Sequence, residues 1–152
     1  MRVLDCGIAV VEGDTHVSKW VDDHKGLDIS RPYLSGFKQY LTKKTVVVDV
    51  GAMLGDHTVV YAEWCKQVHA FEPNKKSFDC LQYNMRSREN VACYNTALSD
   101  KRHMASVHEC ENQGASCLEE SSDGEAHCET LDSFGFDDIG FIKIDAEGFE
   151  SR

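Results

Sequence analysis

The spacing of hydrophobic positions changes several times along the chain, and each change predicts an element. Residues 1–12 (MRVLDCGIAVVE) read as two short strands about Gly7, and the polar stretch GDTHVSKWVDDHKGLD as a loop with one apolar anchor pair, Val17 and Trp20. Ser30 followed by Pro32 signals a helix start, and Tyr33, Phe37, Tyr40 and Leu41 recur at helical spacing. The run before Asp49 in VVVDVGAMLGDHT, residues 46–58, lacks alternation and reads as a strand buried on both faces. Asp56 then caps a helix over HTVVYAEWCK, whose apolar residues lie all round, as in a helix packed on a sheet.

VHAFEP, 68–73, is the next strand. Pro73 and Asn74 end it and open a helix with Phe78, Leu81 and Met85 in one stripe. VACYNTAL, 91–98, is a third strand, HMASVHEC a further one, and AHCETL an edge strand; the acidic, serine-rich stretch through Gly124 reads as a solvated, mobile loop. Thr130, Leu131 and Asp132 form a capped turn before the last strand, IGFIKID at 139–145, in which Phe141, Ile142 and Ile144 read as buried. The succession predicts an α/β domain: a Rossmann-like, doubly wound, mostly parallel sheet with helices on both faces. One domain, 1–152, is expected, with an N-terminal segment and helix over 1–43 and a core over 44–152.

Ligands of such sheets bind at the carboxyl ends of the strands, which lines up the Asp49–Gly55 loop, Glu72, the residues after Thr96, and Asp145. Gly51 and Gly55 permit positive φ and close approach by a ligand. The loop is not G-x-G-x-x-G, because Thr58 stands where the third glycine belongs, and it lacks the G-K-[ST] of a phosphate-binding loop. Asp56 puts a carboxylate where phosphate would sit, so the loop prefers a ligand carrying an ammonium. S-adenosyl-L-methionine is such a ligand. Glu72 reads as a solvent-edge carboxylate for its two ribose hydroxyls, or as a helix N-terminal acid favoured by the macrodipole.

Net charge is −10, but the imbalance is local: residues 103–142 hold ten acids and no lysine or arginine. That acidity predicts a small-molecule partner and no nucleic acid. Seven cysteines without a C-x-x-C pair predict free thiols in a cytoplasmic protein, and neither a leader nor a membrane span is read. His103, His108 and His127 lie near Cys110, Cys117 and Cys128, but none of the short ligand spacings of zinc is present, and no metal is assigned.

Four blocks in order, VVVDVGAMLGDHT, HAFEPN, NTALSD and TLDSFGFDDIGFIKIDAEGFE, resemble the FkbM-type S-adenosylmethionine-dependent methyltransferases over about residues 44–150. The resemblance implies cofactor contacts at Asp49, Gly51, Gly55, Glu72 and around Ala97, and a methyl-transfer site lined by Asp145; Ala52, Met53 and Asn74, adjoining these in the loop and at the strand end, are assigned to the cofactor with them. It also implies a hydroxyl acceptor on a sugar or other small molecule. The residues themselves offer Asp145 or Glu147 as the base that takes the acceptor's proton, and Glu150 with these two as a lesser option for a divalent cation. Two departures stand out. Met53 occupies the position of the family's usual asparagine, and family members continue beyond the E-G-F-E block, so the sheet is expected to be incomplete at its C-terminal end, with an open edge for self-association or a partner. A cofactor-binding pseudoenzyme that needs a partner, and an NAD-dependent oxidoreductase, are the other readings.

Overall fold

In the computed structural model, residues 1–109 and 116–148 are described. Four parallel strands form the central sheet in the order β10-β3-β4-β5: Val46–Val50 (β3), Gln67–Phe71 (β4), Val91–Tyr94 (β5) and Ile139–Ile144 (β10). The chain walks outward from β3 through β4 to β5, and β10 returns to the other side of β3. The sheet's direction of winding therefore switches beside β3. Residues opposite one another in register share a face, so Val47 lies with Val68, and Val48 with His69 and Ile142.

Helices Asp56–Trp64 (α3) and Lys75–Met85 (α4) both cover the face carrying Val47, Val68 and Ala70, through Val59, Val60, Phe78 and Leu81. On the opposite face Val48, Val50 and Phe71 are covered by Leu98, Leu131, Phe134 and Phe136, an aromatic segment where the periodicity predicts a helix layer. Phe134 meets Phe71 edge-on, with ring centroids 5.0 Å apart. Phe141 packs toward the helices, 5.9 Å from the Tyr61 ring, but Ile142 and Ile144 are exposed, contrary to the expectation that they are buried.

Arg2–Val3 (β1) and Ala9–Val10 (β2) form the expected hairpin about Gly7. Buried Asn84 fastens it: its side chain accepts from the Ala9 amide at 2.8 Å and donates to the carbonyls of Ala9 and Leu54 at 3.0 and 2.9 Å. The next stretch is helical rather than a loop, Val17–His24 (α1). Asp14 starts it by accepting from the Ser18 amide at 2.7 Å and the Ser18 hydroxyl at 2.8 Å. Its buried anchor is Val21; Trp20 is exposed. The expected helix beyond Ser30 is one turn, Arg31–Leu34 (α2), because Gly36 follows and the Ser35 hydroxyl takes the Pro32 carbonyl at 2.6 Å. Leu34 and Leu41 are its buried contacts, while Tyr33, Phe37 and Tyr40 face solvent.

A second sheet, in the order β6-β9-β7-β8, holds Ala97–Leu98 (β6), His103–His108 (β7), Cys117–Glu120 (β8) and Ala126–Glu129 (β9). The single strand expected over 91–98 is thus two. Asn95 separates them: its side-chain amide donates to the carbonyls of Glu72 and Pro73 at 2.9 and 3.0 Å, and Ala97 then pairs with Cys128 in the new sheet. Strand β9 is interior to that sheet, not an edge, and β8 lies within the stretch read as a loop. Residues 110–115 of that stretch lie outside the described residues. No helix among the described residues is long and apolar enough to cross a membrane.

Candidate functional site

The carboxyl ends of β3, β4 and β10 open onto a cavity of about 220 Å³. At the end of β3 the chain must pass under the backbone that follows β10. Gly51, at φ 73°, permits this, since a Cβ there would lie 1.9 Å from the Asp145 carbonyl oxygen. Gly55, at φ 93°, leads into α3 where a Cβ would meet Met85 and Leu81 side-chain carbons at 2.8 and 2.9 Å. Both close approaches foreseen for a ligand are made by the protein's own atoms.

The loop's amides are also engaged internally. Gly51 and Ala52 donate to the Phe71 carbonyl at 3.0 and 2.9 Å, Gly55 donates to the Ala52 carbonyl at 2.8 Å, and Met53 donates to Glu72 Oε2 at 2.9 Å. A pyrophosphate needs a row of free amides, which these residues do not offer.

Glu72 is not at the solvent edge. It is 7% exposed, and its other oxygen, Oε1, accepts from the Asn74 amide at 2.9 Å. Burial pushes its carboxyl group up to about 7, against the opposing pull of those two amides and of Lys143. Each oxygen is thus oriented by one backbone donor and retains acceptor capacity at the cavity wall. Asn74 caps α4 by accepting from the Lys76 and Ser77 amides at 2.9 and 3.4 Å, and donates to Glu109 at 3.4 Å. Lys76 pairs with the same Glu109 at 2.6 Å, clasping the end of β7 to the start of α4.

Asp49 lies beneath the cavity, wholly buried. Its Oδ2 accepts from the Thr58 hydroxyl at 2.6 Å, and Lys143 Nζ stands 3.3 Å from Oδ1. Register places Lys143 directly beside Asp49 on neighbouring strands. Lys143 also donates to the carbonyls of Val50 and Gly51 at 3.1 and 2.8 Å and lies 3.8 Å from Asp145 Oδ2. Asp56 begins α3 instead of capping it; Gly55 holds the cap position, and the Ser30 hydroxyl donates to the Asp56 carboxylate.

The cavity wall brings together Gly51, Met53, Glu72, Asn74, Ala97, Asp145 and Glu147 from the sequence-derived set. Ala52, Gly55 and Asp49 do not line the cavity, and Glu150 lies outside the described residues. Unforeseen in the wall are Trp20 and Ile29 from the N-terminal segment, Val107 and Leu118 from the second sheet, and Lys143. His57 also lines it, stacked on Tyr61 with centroids 6.2 Å apart. The apolar pair Val17 and Trp20 was the available signal for the first of these walls; both line the cavity, and only Val17 also packs against the core. Nothing in the spacing of Val107 and Leu118 tells a cavity wall from an ordinary strand face.

The model of the FkbM methyltransferase domain matches residues 49–152, well over half of the chain. This chain belongs to the FkbM methyltransferase family. Among solved structures, the FkbM methyltransferase from Methylobacillus flagellatus KT aligns with 18% identity and a TM-score of 0.49, over 72% of this chain and 28% of that one. A putative methyltransferase from Streptococcus mutans, solved in complex with SAH (S-adenosylhomocysteine), aligns with 19% identity and a TM-score of 0.41, over 44% and 39%. A precorrin-6y C5,15-methyltransferase from Geobacter metallireducens GS-15 gives 16% and 0.43, over 61% and 46%. The chain thus spans less than half the length of each of these structures. No curated protein matches it. Within the family assignment, the strand order and the position of the glycine loop at the switch beside β3 are those of a Rossmann-like methyltransferase fold.

Proposed function

We propose that this FkbM-family domain binds S-adenosylmethionine in the cavity and directs its methyl group to a hydroxyl of a sugar or other small molecule. One observation carries the reading: Glu72, oriented by the Met53 and Asn74 amides, shares a single cavity with Gly51, Ala97, Asp145 and Glu147 at the strands' carboxyl edge. The donor set suits the cofactor. A carboxylate with acceptor capacity accepts ribose hydroxyls, apolar Val50, Phe71, Leu98 and Leu118 suit an adenine, and the acidic lining suits the ammonium of the amino-acid end and the sulfonium.

The bound cofactor supplies an electrophilic methyl group on sulfur. The chain supplies orientation and a proton acceptor. Asp145, with a side chain 58% exposed and Lys143 3.8 Å away, is assigned to take the acceptor hydroxyl's proton, and Glu147 to hold the acceptor beside it. The engaged loop amides argue against the oxidoreductase reading, and the carboxylates around the cavity favour a small acceptor over a polyanion. Calorimetry with S-adenosylhomocysteine tests the reading: saturable heat is expected at micromolar to millimolar ligand, and no heat at millimolar concentration would reject it. Binding without turnover on any hydroxyl substrate would leave the pseudoenzyme reading instead.

A further inference from the structure

Resting on that reading, we propose that Trp20 is the acceptor platform. Its indole face receives the saturated ring of an uncharged, hydroxyl-bearing acceptor, and the carboxylates around the cavity turn anionic acceptors away.

Trp20 lines the cavity yet is 59% exposed. The other tryptophan, Trp64, has its ring covered by Arg31 and Lys38 at 5.8 and 5.1 Å from the centroid. Among the described residues, the Trp20 ring has no such cation and no aromatic neighbour. The helix that carries it, α1, is itself anchored by buried Val21 and by Ser18 on Asp14. A large apolar face left uncovered at a cavity wall is a contact surface for a ring.

The charges in the wall narrow that ring's chemistry. Asp56, Glu72, Asp145 and Glu147 line the cavity, and the one lysine there, Lys143, is committed to Asp49 and the strand-end carbonyls. A phosphate or carboxylate on the acceptor would meet a wall of its own sign. A saturated ring with apolar C–H faces and hydroxyls on its rim fits both features, since its face covers the indole and its hydroxyls donate to carboxylates.

The test uses the whole chain saturated with S-adenosylhomocysteine. Tryptophan emission is titrated with a panel of methyl hexopyranosides, with glucose 6-phosphate and with phenol, for the natural chain and for Trp20→Ala and Trp20→Tyr. At least one methyl pyranoside is expected to change the emission saturably in the natural chain, and to bind at least tenfold more tightly than glucose 6-phosphate or phenol. By calorimetry, Trp20→Ala should weaken that glycoside at least tenfold and Trp20→Tyr should restore part of the loss. Affinity for S-adenosylhomocysteine should change less than twofold in both variants, which also reports an intact fold. The proposal is overturned if no pyranoside binds, if glucose 6-phosphate or phenol binds as well or better, or if Trp20→Ala weakens S-adenosylhomocysteine and glycoside alike. Failure of S-adenosylhomocysteine to bind the natural chain is a different result and rejects the methyltransferase reading itself.

Discussion

Lys143 Nζ stands 3.3 Å from Asp49 Oδ1, and this pair joins β10 to β3, neighbours in the sheet that lie far apart in the chain. The carboxylate is wholly buried and the lysine side chain 13% exposed, so neither charge has water enough to stand alone. Lys143→Met should therefore destabilise the fold by about 3–5 kcal/mol, because it strands a buried carboxylate with only the Thr58 hydroxyl. Adding Asp49→Asn to Lys143→Met should recover much of that loss. Urea unfolding of the two single variants and the double variant checks this; additive losses would mean that the pair is not coupled.

Glu72 makes the ligand-free fold sensitive to pH. Its folded pKa, about 7, lies above the ordinary value of 4.5, so its stabilising contribution is full below 4.5 and is lost as pH rises through 7. The loss amounts to roughly 3 kcal/mol by pH 8. Comparing urea midpoints at pH 5 and 8 for the natural chain and Glu72→Gln isolates it, and the variant should show a correspondingly smaller drop.

The same carboxylate should link cofactor affinity to pH in the opposite sense. Ribose hydroxyls donate to the ionised form, so S-adenosylhomocysteine should bind about tenfold more tightly at pH 8 than at pH 6. In Glu72→Gln the affinity should fall at least a hundredfold and lose this dependence. Calorimetry at the two pH values would contradict the ribose role if the variant bound like the natural chain. Glu72→Ala is a poorer probe than Glu72→Gln, because it would leave both the Met53 and the Asn74 amides without their acceptor.

Met53 sits at φ 48°, a left-handed conformation that asparagine tolerates better than methionine. Met53→Asn should stabilise the chain by about 0.5–1 kcal/mol, seen as a melting temperature higher by about 1–4 °C. It should also tighten S-adenosylhomocysteine, since residue 53 lines the cavity. A lower melting temperature would show that the thioether's packing outweighs the backbone strain.

Strand β3 was legible because burial on both faces makes it continuously apolar, and the helix stripe of Phe78, Leu81 and Met85 because burial on one face imposes a period. The carboxyl-edge rule then placed Gly51, Glu72, Ala97 and Asp145 together. Three misplaced element boundaries share a cause: polar side chains bonded to backbone, which leave no periodic trace. Asp14 makes a helix of an apparent loop, Asn95 cuts one apparent strand into two, and Ser35 stops a helix short. Asp49 ends a strand at the expected place, but only the register with Lys143 reveals that it is sealed beneath the cavity. Trp20 misled for the opposite reason, since an apolar residue gives the same signal in a core and in a cavity wall.

The position of β10 also governs when the cavity comes into being. Lys143 reaches the Val50 carbonyl across 93 residues of chain, so the floor and rim close only once residue 143 is present and a long loop has been closed. During synthesis, a nascent chain that has released α3, β4 and α4 already owns Glu72 and the glycine loop but has no lysine over Asp49 and no rim. Recognition by the complete cavity therefore cannot precede the synthesis of β10, and a ligand bound there would stabilise the assembled sheet in proportion to its affinity for it.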